Sequence, residues 1–325
     1  METKIACLVR TSSQKDLDAF VESWNKEKLF DHCTLFVRWD NATYVPEPDC
    51  KLHSIKSRVI FSDASEDYNS FISTAFQLYD FVLKLDVHCH PCKEEQGLIY
   101  SGKGFLDEHV RNITEHKAWT NFSPVRFRGA PLKQTQGLSK MLVSHGLCIG
   151  NLDVDALFSL SDNEQPDFNF KTNVIPLGYY EAINFKNTMV TANAAIFLSD
   201  FMKCDSACIS SYSDVWSGIV MKKILDSTNC QMTFGMPYVN RKDPETKFPF
   251  VKLSETVDAL HMTEDIWQYI DAVNLKDNVG FSDCMKRIGA SLSYFPAAYT
   301  LHEDYTDDFK QLSKNMIFAA EKFIK

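Results

Sequence analysis

The sequence predicts an α/β protein with a Rossmann-like, mostly parallel sheet flanked by helices and a C-terminal helical extension. Three observations point there. The first half of the chain alternates short apolar runs with stripes of helical spacing, the order that makes βαβ units. The chain has 325 residues, 45% of them hydrophobic and 13% aromatic, enough to bury a sizeable core and to exclude general disorder. No run of about 18 apolar residues occurs, so no membrane span is expected.

The elements follow in order. Residues 4–10 form an apolar strand. Asp16 to Lys28 carries Leu17, Phe20, Val21 and Trp24 at helical spacing. Cys33 to Arg38 is a second strand ending at Trp39-Asp40-Asn41, and Pro46-Glu47-Pro48-Asp49 breaks the chain beyond it. Arg58 to Phe61 is a short strand. Glu66 to Tyr79 is a helix with Phe71, Ile72, Ala75, Phe76 and Tyr79 on one stripe, and Phe81 to Leu85 is a strand that stops at Asp86. In such sheets ligands lie beyond the carboxyl ends of the strands. Arg10, Asp40 and Asp86-Val87-His88 all fall at that edge.

The second half is less regular. Asp162 to Lys171 reads as a polar loop, Asp214 to Leu225 as a helix capped by Ser213, and Thr300 to Lys325 ends as a packed helix. No repeat or linker divides the chain. The expected organisation is one domain over residues 1–275 with a helical extension over 276–325.

Charge narrows the partners. Lys and Arg number 34 against 43 Asp and Glu, a formal charge of −9, which argues against a broad nucleic-acid surface and a polybasic membrane patch. From His116 to Leu152 there is no Asp or Glu, whereas Lys117, Arg126, Arg128, Lys133 and Lys140 give +5 there. This is either an ordinary basic face or a phosphate cradle, in which Arg128-Gly129 lets a guanidinium and bare backbone approach one anion. The ten cysteines are scattered through apolar stretches and read as thiols of a reducing compartment, hence a cytoplasmic enzyme. The N-terminus lacks a signal-peptide layout.

Several short segments carry possible chemistry. Asp86 and His88, two residues apart just past a strand, suit a divalent cation beside a diphosphate; the alternative is a plain turn. His88-Cys89-His90-Pro91-Cys92 invites zinc, but four ligands within five residues are sterically awkward. His145, next to Gly146, reads as a functional histidine in a polar loop. Asp214 is either a helix-start carboxylate or a ligand for sugar and acceptor hydroxyls. Ser101-Gly102-Lys103-Gly104 lacks P-loop spacing, and neither a nucleophile elbow nor a dinucleotide fingerprint occurs.

The order of the motifs resembles the reversibly glycosylated polypeptide family, which includes the plant UDP-arabinopyranose mutases. Leu17-Asp18-Ala19-Phe20 with Trp24 begins the series, and Asp40 continues it. Asp86-Val87-His88-Cys89 falls on the family's Asp-Asp-Asp-Cys, and Arg128-Gly129-Ala130-Pro131 on its Arg-Gly-Tyr-Pro. Val143-Ser144-His145-Gly146-Leu147 matches directly. Asn193 matches a Gly-Met-Asn segment, and Tyr212 to Gly218 a Tyr-Asp-Asp-Met-Trp-Ala-Gly segment. Pro237-Tyr238-Val239, Pro249-Phe250-Val251 and Glu264-Asp265-Ile266 complete it.

The resemblance implies a GT-A-like fold, a UDP-sugar and Mn²⁺ or Mg²⁺. By that implication Asp86 and His88 hold the metal. Arg10, Asp40, Arg126, Arg128, Asn193 and Arg241 bind the nucleotide sugar, and Arg128, Asp214 and His145 are the catalytic candidates. The sequence departs from the family at Val87 and His88, at Ala130, and at Arg241 in place of a family histidine. The leading expectation is a glycosyltransferase moving arabinose or another pentose from UDP to an acceptor. A hydroxymethylated DNA base is one candidate acceptor, as in related viral enzymes. A UDP-arabinose mutase is the runner-up, and a non-catalytic binding protein of the same fold stands third. A homo-oligomer is compatible with all three.

Overall fold

The computed structural model describes residues 3–40, 59–62, 67–92, 100–115, 118–119, 138–150, 171–181, 183–242, 249–275, 280–299 and 304–323. Strand β1 (Ile5–Thr11) lies between β2 (Thr34–Trp39) and β4 (Phe81–Asp86), parallel to both, and β3 (Val59–Ser62) extends the parallel set beyond β2. The expected βαβ order is present, with helices α1 (Gln14–Lys26) and α2 (Tyr68–Leu78) on the crossovers. Beyond β4 the sheet turns mixed. Strand β9 (Asn187–Thr191) runs antiparallel between β4 and the long β7 (Leu138–Gly150), and β10 (Cys230–Arg241) lies parallel to β7. The short strands β5 (Cys89–His90) and β8 (Asn173–Ile175) pair antiparallel with β10, and β6 (Ala118–Trp119) with β7. This is the helix-flanked α/β sheet expected from the sequence, with more antiparallel pairing in its second half than the expected mostly parallel order.

Alternation along the buried strands sorts side chains into two cores, one on each face of the sheet. On one face, Cys7, Val9, Leu83 and Leu85 meet α1 and α3 (Gly102–Thr114). The predicted stripe of α1 is fully realised: Leu17, Phe20, Val21 and Trp24 are all buried, and Ser13 caps the helix by accepting the Asp16 N–H. Trp24 also donates its indole N–H to the Cys89 carbonyl at 2.8 Å. The helix thereby pins the turn that carries Asp86 and His88.

On the other face, Ala6, Leu8 and Val82 share one core with α2, the 3₁₀ segment Ala192–Leu198 and the remaining helices. These are α4 (Ala207–Ser211), α5 (Ser213–Ser227), α6 (Pro249–Ala272), α7 (Phe281–Leu292), α8 (Phe295–Ala298) and α9 (Thr306–Lys322). Phe309, Leu312, Met316, Ala319 and Ala320 of α9 are buried at the helical spacing expected for the C-terminal segment, and Gly289 of α7 lets Met316 pack closely. The described residues contain no helix long and apolar enough to cross a membrane. Their nine cysteines are all unbridged.

Two local expectations differ. Ser213 is not the cap of α5: Tyr212 occupies that position without a side-chain bond, and the Ser213 hydroxyl donates to the Ser210 carbonyl of the preceding helical turn. His145 is not in a loop. It lies within β7, where the polar Ser144 and His145 find protein partners rather than water, Ser144 in His109 of α3 and His145 in Thr188 of β9. Most of the predicted loop 162–171 and most of the acid-free stretch 116–152, Arg126 and Arg128 included, lie outside the described residues.

Candidate functional site

A cleft of about 450 Å³ opens at the carboxyl edge of the parallel strands. The register explains its composition. Arg10 of β1 is paired with Arg38 of β2 and with Asp86 of β4, so three charged side chains reach one edge together. The chain then leaves β2 through Asp40, whose N–H donates to the Thr11 carbonyl at 2.9 Å and is thereby held beside Arg10.

Arg10 is the hub. Its Nε donates to Asp40 and its Nη1 to Asp200, and the guanidinium lies over the Tyr68 ring at 5.1 Å. Arg38 adds a second cation, with Nε 3.5 Å from Asp40 and Nη1 donating to Ser62 at 2.8 Å. Lys203 approaches Asp200 to 3.2 Å. Two carboxylates thus serve three cations in one continuous network. Burial pushes the Asp200 pKa upward, but Arg10, Lys203 and Lys84 outweigh it and hold the carboxylate below its usual value. Burial likewise works against the Arg10 charge, and Asp200 and Asp40 reverse that effect and raise its pKa.

Asp86 and His88 line the same cleft. The Asp86 Oδ1 accepts the His88 N–H at 2.9 Å, and the Asp86 N–H donates to the Lys186 carbonyl at 2.8 Å. The turn is closed on its far side by Lys242, whose N–H donates to the His88 carbonyl. One hard carboxylate and one imidazole suit Mn²⁺ better than Mg²⁺, which would use the carboxylate alone, and phosphate oxygens and water commonly complete such a shell. Among the described residues no group of three His, Cys, Asp or Glu side chains converges. The donor set among the described residues therefore fits an ion shared with a phosphate ligand.

The zinc alternative fails on geometry. The Cys89 thiol faces Cys148 at 3.9 Å, His90 Nδ1 bonds Ser23 Oγ at 2.8 Å, and the Cys92 thiol donates to the Tyr238 carbonyl. The segment spends its polar atoms on separate partners.

Asp214 stands at the start of α5, half-buried and lining the cleft. Its Oδ1 accepts the Val215 N–H at 2.9 Å.

Other expected residues do not reach this cleft. His145 is 2% exposed; its Nδ1 bonds Thr188 Oγ1 at 2.7 Å and its ring packs 5.5 Å from Phe234. Asn193 is exposed on the 3₁₀ segment. Arg241 ends β10 opposite Cys89 and Gly150. None of the three lines the cleft.

The structure adds residues that sequence reasoning missed. Asp200 and Lys203 follow the 3₁₀ segment, and no local pattern marks them. Lys84 had a readable signal, a charge inside the apolar run Phe81-Val82-Leu83-Lys84-Leu85. It lines the cleft two residues before Asp86 on the same strand face. Burial lowers its pKa, with Asp200 opposing the effect.

Comparison with known proteins agrees with the motif series. A rice (Oryza sativa subsp. japonica) protein named probable inactive UDP-arabinopyranose mutase 2 is 22% identical over 334 residues, covering 93% of this chain and 95% of its own. Among solved structures, residues 1–349 of S. aureus TarS match with 11% identity and a TM-score of 0.40, covering 96% of this chain and 90% of that one. The same TarS fragment in complex with UDP matches with 10% identity and a TM-score of 0.41, again covering 96% and 90%. The family model described as reversibly glycosylated polypeptide matches residues 3–296. The chain belongs to the reversibly glycosylated polypeptide family.

Proposed function

We propose that the protein binds a UDP-sugar in the cleft at the carboxyl edge of the sheet and transfers the sugar, arabinose or another pentose, to an acceptor. The observation that carries this reading is the convergence of Arg10, Asp40, Asp86, His88 and Asp214 on one cleft. Arg10 and Asp40 sit where the nucleotide enters, each fixed by the other before any ligand arrives. Such preorganisation lowers the cost of ordering the site on binding. Mn²⁺ or Mg²⁺ held by Asp86 and His88 would neutralise the diphosphate as it leaves. Asp214 lines the cleft as well, suited to accept a proton from an acceptor hydroxyl. Arg128 and Arg126, outside the described residues, are assigned to the phosphates and reacting sugar by family resemblance.

A second reading, UDP-arabinose ring interconversion, is favoured by Arg128-Gly129, whereas the rice relative named as a probable inactive mutase favours the third, non-catalytic reading. The deciding experiment incubates the protein with UDP-arabinopyranose and UDP-arabinofuranose. Each is tested alone and with acceptors, including DNA containing hydroxymethylcytosine, and the sugar nucleotides are resolved by chromatography. Acceptor-dependent release of UDP supports transfer. Ring interconversion without acceptor refutes transfer and establishes the mutase. UDP binding with neither reaction assigns a non-catalytic binding role.

A further inference from the structure

Lys84 sits in the middle of the sheet, its Cα paired with Leu8 of β1 and Thr188 of β9. It shares a strand face with Val82, whose side chain is fully buried, yet it borders the cleft. The cations around it are matched: Arg10 by Asp40 and Asp200, and Lys203 by Asp200. The Lys84 ammonium forms no hydrogen bond or contact ion pair with the described residues. Its neighbour is the Phe185 ring, 5.8 Å from Nζ. Phe185 adopts a φ of 52°, unusual for a bulky side chain, on the segment that enters β9. A half-buried ammonium with three donors and only a ring beneath it is an incomplete site for an anion.

We propose that Lys84 is the anion anchor of the cleft, its ammonium taking a phosphate oxygen of the bound nucleotide diphosphate from the floor. The inference rests on reading the cleft as a UDP-sugar site. Lys84 and Asp86 lie about 7 Å apart along one strand face, so one diphosphate can span both positions. The competing role for Lys84 is background charge balance for the nearby carboxylates, with no ligand contact.

Calorimetric titration with inorganic pyrophosphate, UDP and uridine, each with Mn²⁺ and in EDTA, separates the two roles. The expected result is that Lys84→Met and Lys84→Gln weaken pyrophosphate and UDP by about ten- to a hundredfold and leave uridine affinity unchanged. In the wild-type chain, pyrophosphate should slow reductive methylation of Lys84, read by mass spectrometry, and leave exposed Lys103 unaffected, a readout that needs no variant to fold. Pyrophosphate affinity unchanged in both variants overturns the proposal. So does an equal loss of uridine and UDP, absence of protection at Lys84, or a wild-type protein that binds no pyrophosphate. Binding of pyrophosphate without UDP or uridine would refute the nucleotide reading and leave the anchor standing.

Discussion

His109 of α3 should make the fold acid-sensitive in a way that can be read quantitatively. The ring is fully buried, with Nδ1 2.9 Å from Ser144 Oγ and Nε2 3.0 Å from Asn187 Oδ1. Asn112 donates to the same Ser144 hydroxyl at 3.2 Å, which orients that hydroxyl to donate to Nδ1, so the bond pattern assigns a neutral ring protonated at Nε2. Burial holds the His109 pKa at about 3, and neighbouring His145 works in the same direction. Above pH ~6.5, the pKa of an unfolded histidine, neither state binds this proton and stability is at its full value. Below it the unfolded chain binds a proton that the folded chain refuses. Stability therefore falls by about 1.4 kcal/mol per pH unit until the folded pKa is reached. The whole window corresponds to about 5 kcal/mol, and the step from pH 6.5 to 5 to about 2 kcal/mol. Urea unfolding at pH 7 and pH 5 measures it. His109→Gln should flatten the difference between the two pH values by about 2 kcal/mol, whatever its effect at pH 7. An unchanged pH slope in that variant would refute the reasoning. The consequence reaches the cleft, because Asn187 directly follows Lys186, whose carbonyl holds the Asp86 N–H.

Three further outcomes are expected. Asp86→Ala should abolish stimulation by Mn²⁺ and lower UDP-sugar turnover by about a hundredfold or more; unaltered metal response, followed by metal titration of activity, removes the metal assignment. Asp214→Asn should lower kcat by at least about a hundredfold with little change in UDP affinity, measured by steady-state kinetics and calorimetry, and equal losses in both would reassign it to binding. Gly146→Ala should cost about 3 kcal/mol in denaturant unfolding, since a Cβ there would lie 2.2 Å from the Pro237 carbonyl oxygen and 2.1 Å from Asn187 Nδ2, and a neutral result would refute the close packing of β7 on β9 and β10.

The sequence by itself determined the parallel half of the sheet and the edge at which the site lies. Apolar runs and the Leu17, Phe20, Val21, Trp24 stripe are local signals, and burial of those residues leaves little freedom in how β1, β2 and β4 pair. Because parallel strands place their ends together, Arg10, Asp40 and Asp86 were legible as neighbours from position alone. His145 was misread because adjacency to Gly suggested a loop, and only its Thr188 partner across the sheet shows why a polar side chain stays inside. What the tertiary structure decided is the company these residues keep. Asp200 lies 190 positions from Arg10 in sequence, and it becomes a partner through the antiparallel insertion of β9 beside β4 and the 3₁₀ segment that follows. Lys84 gains its meaning in the same way: in the sequence it is a stray charge in an apolar strand, and in the fold it is a cation near the Phe185 ring that lines a cleft. Contacts of that kind depend on strand order and loop placement, which pairwise spacing along the chain does not encode.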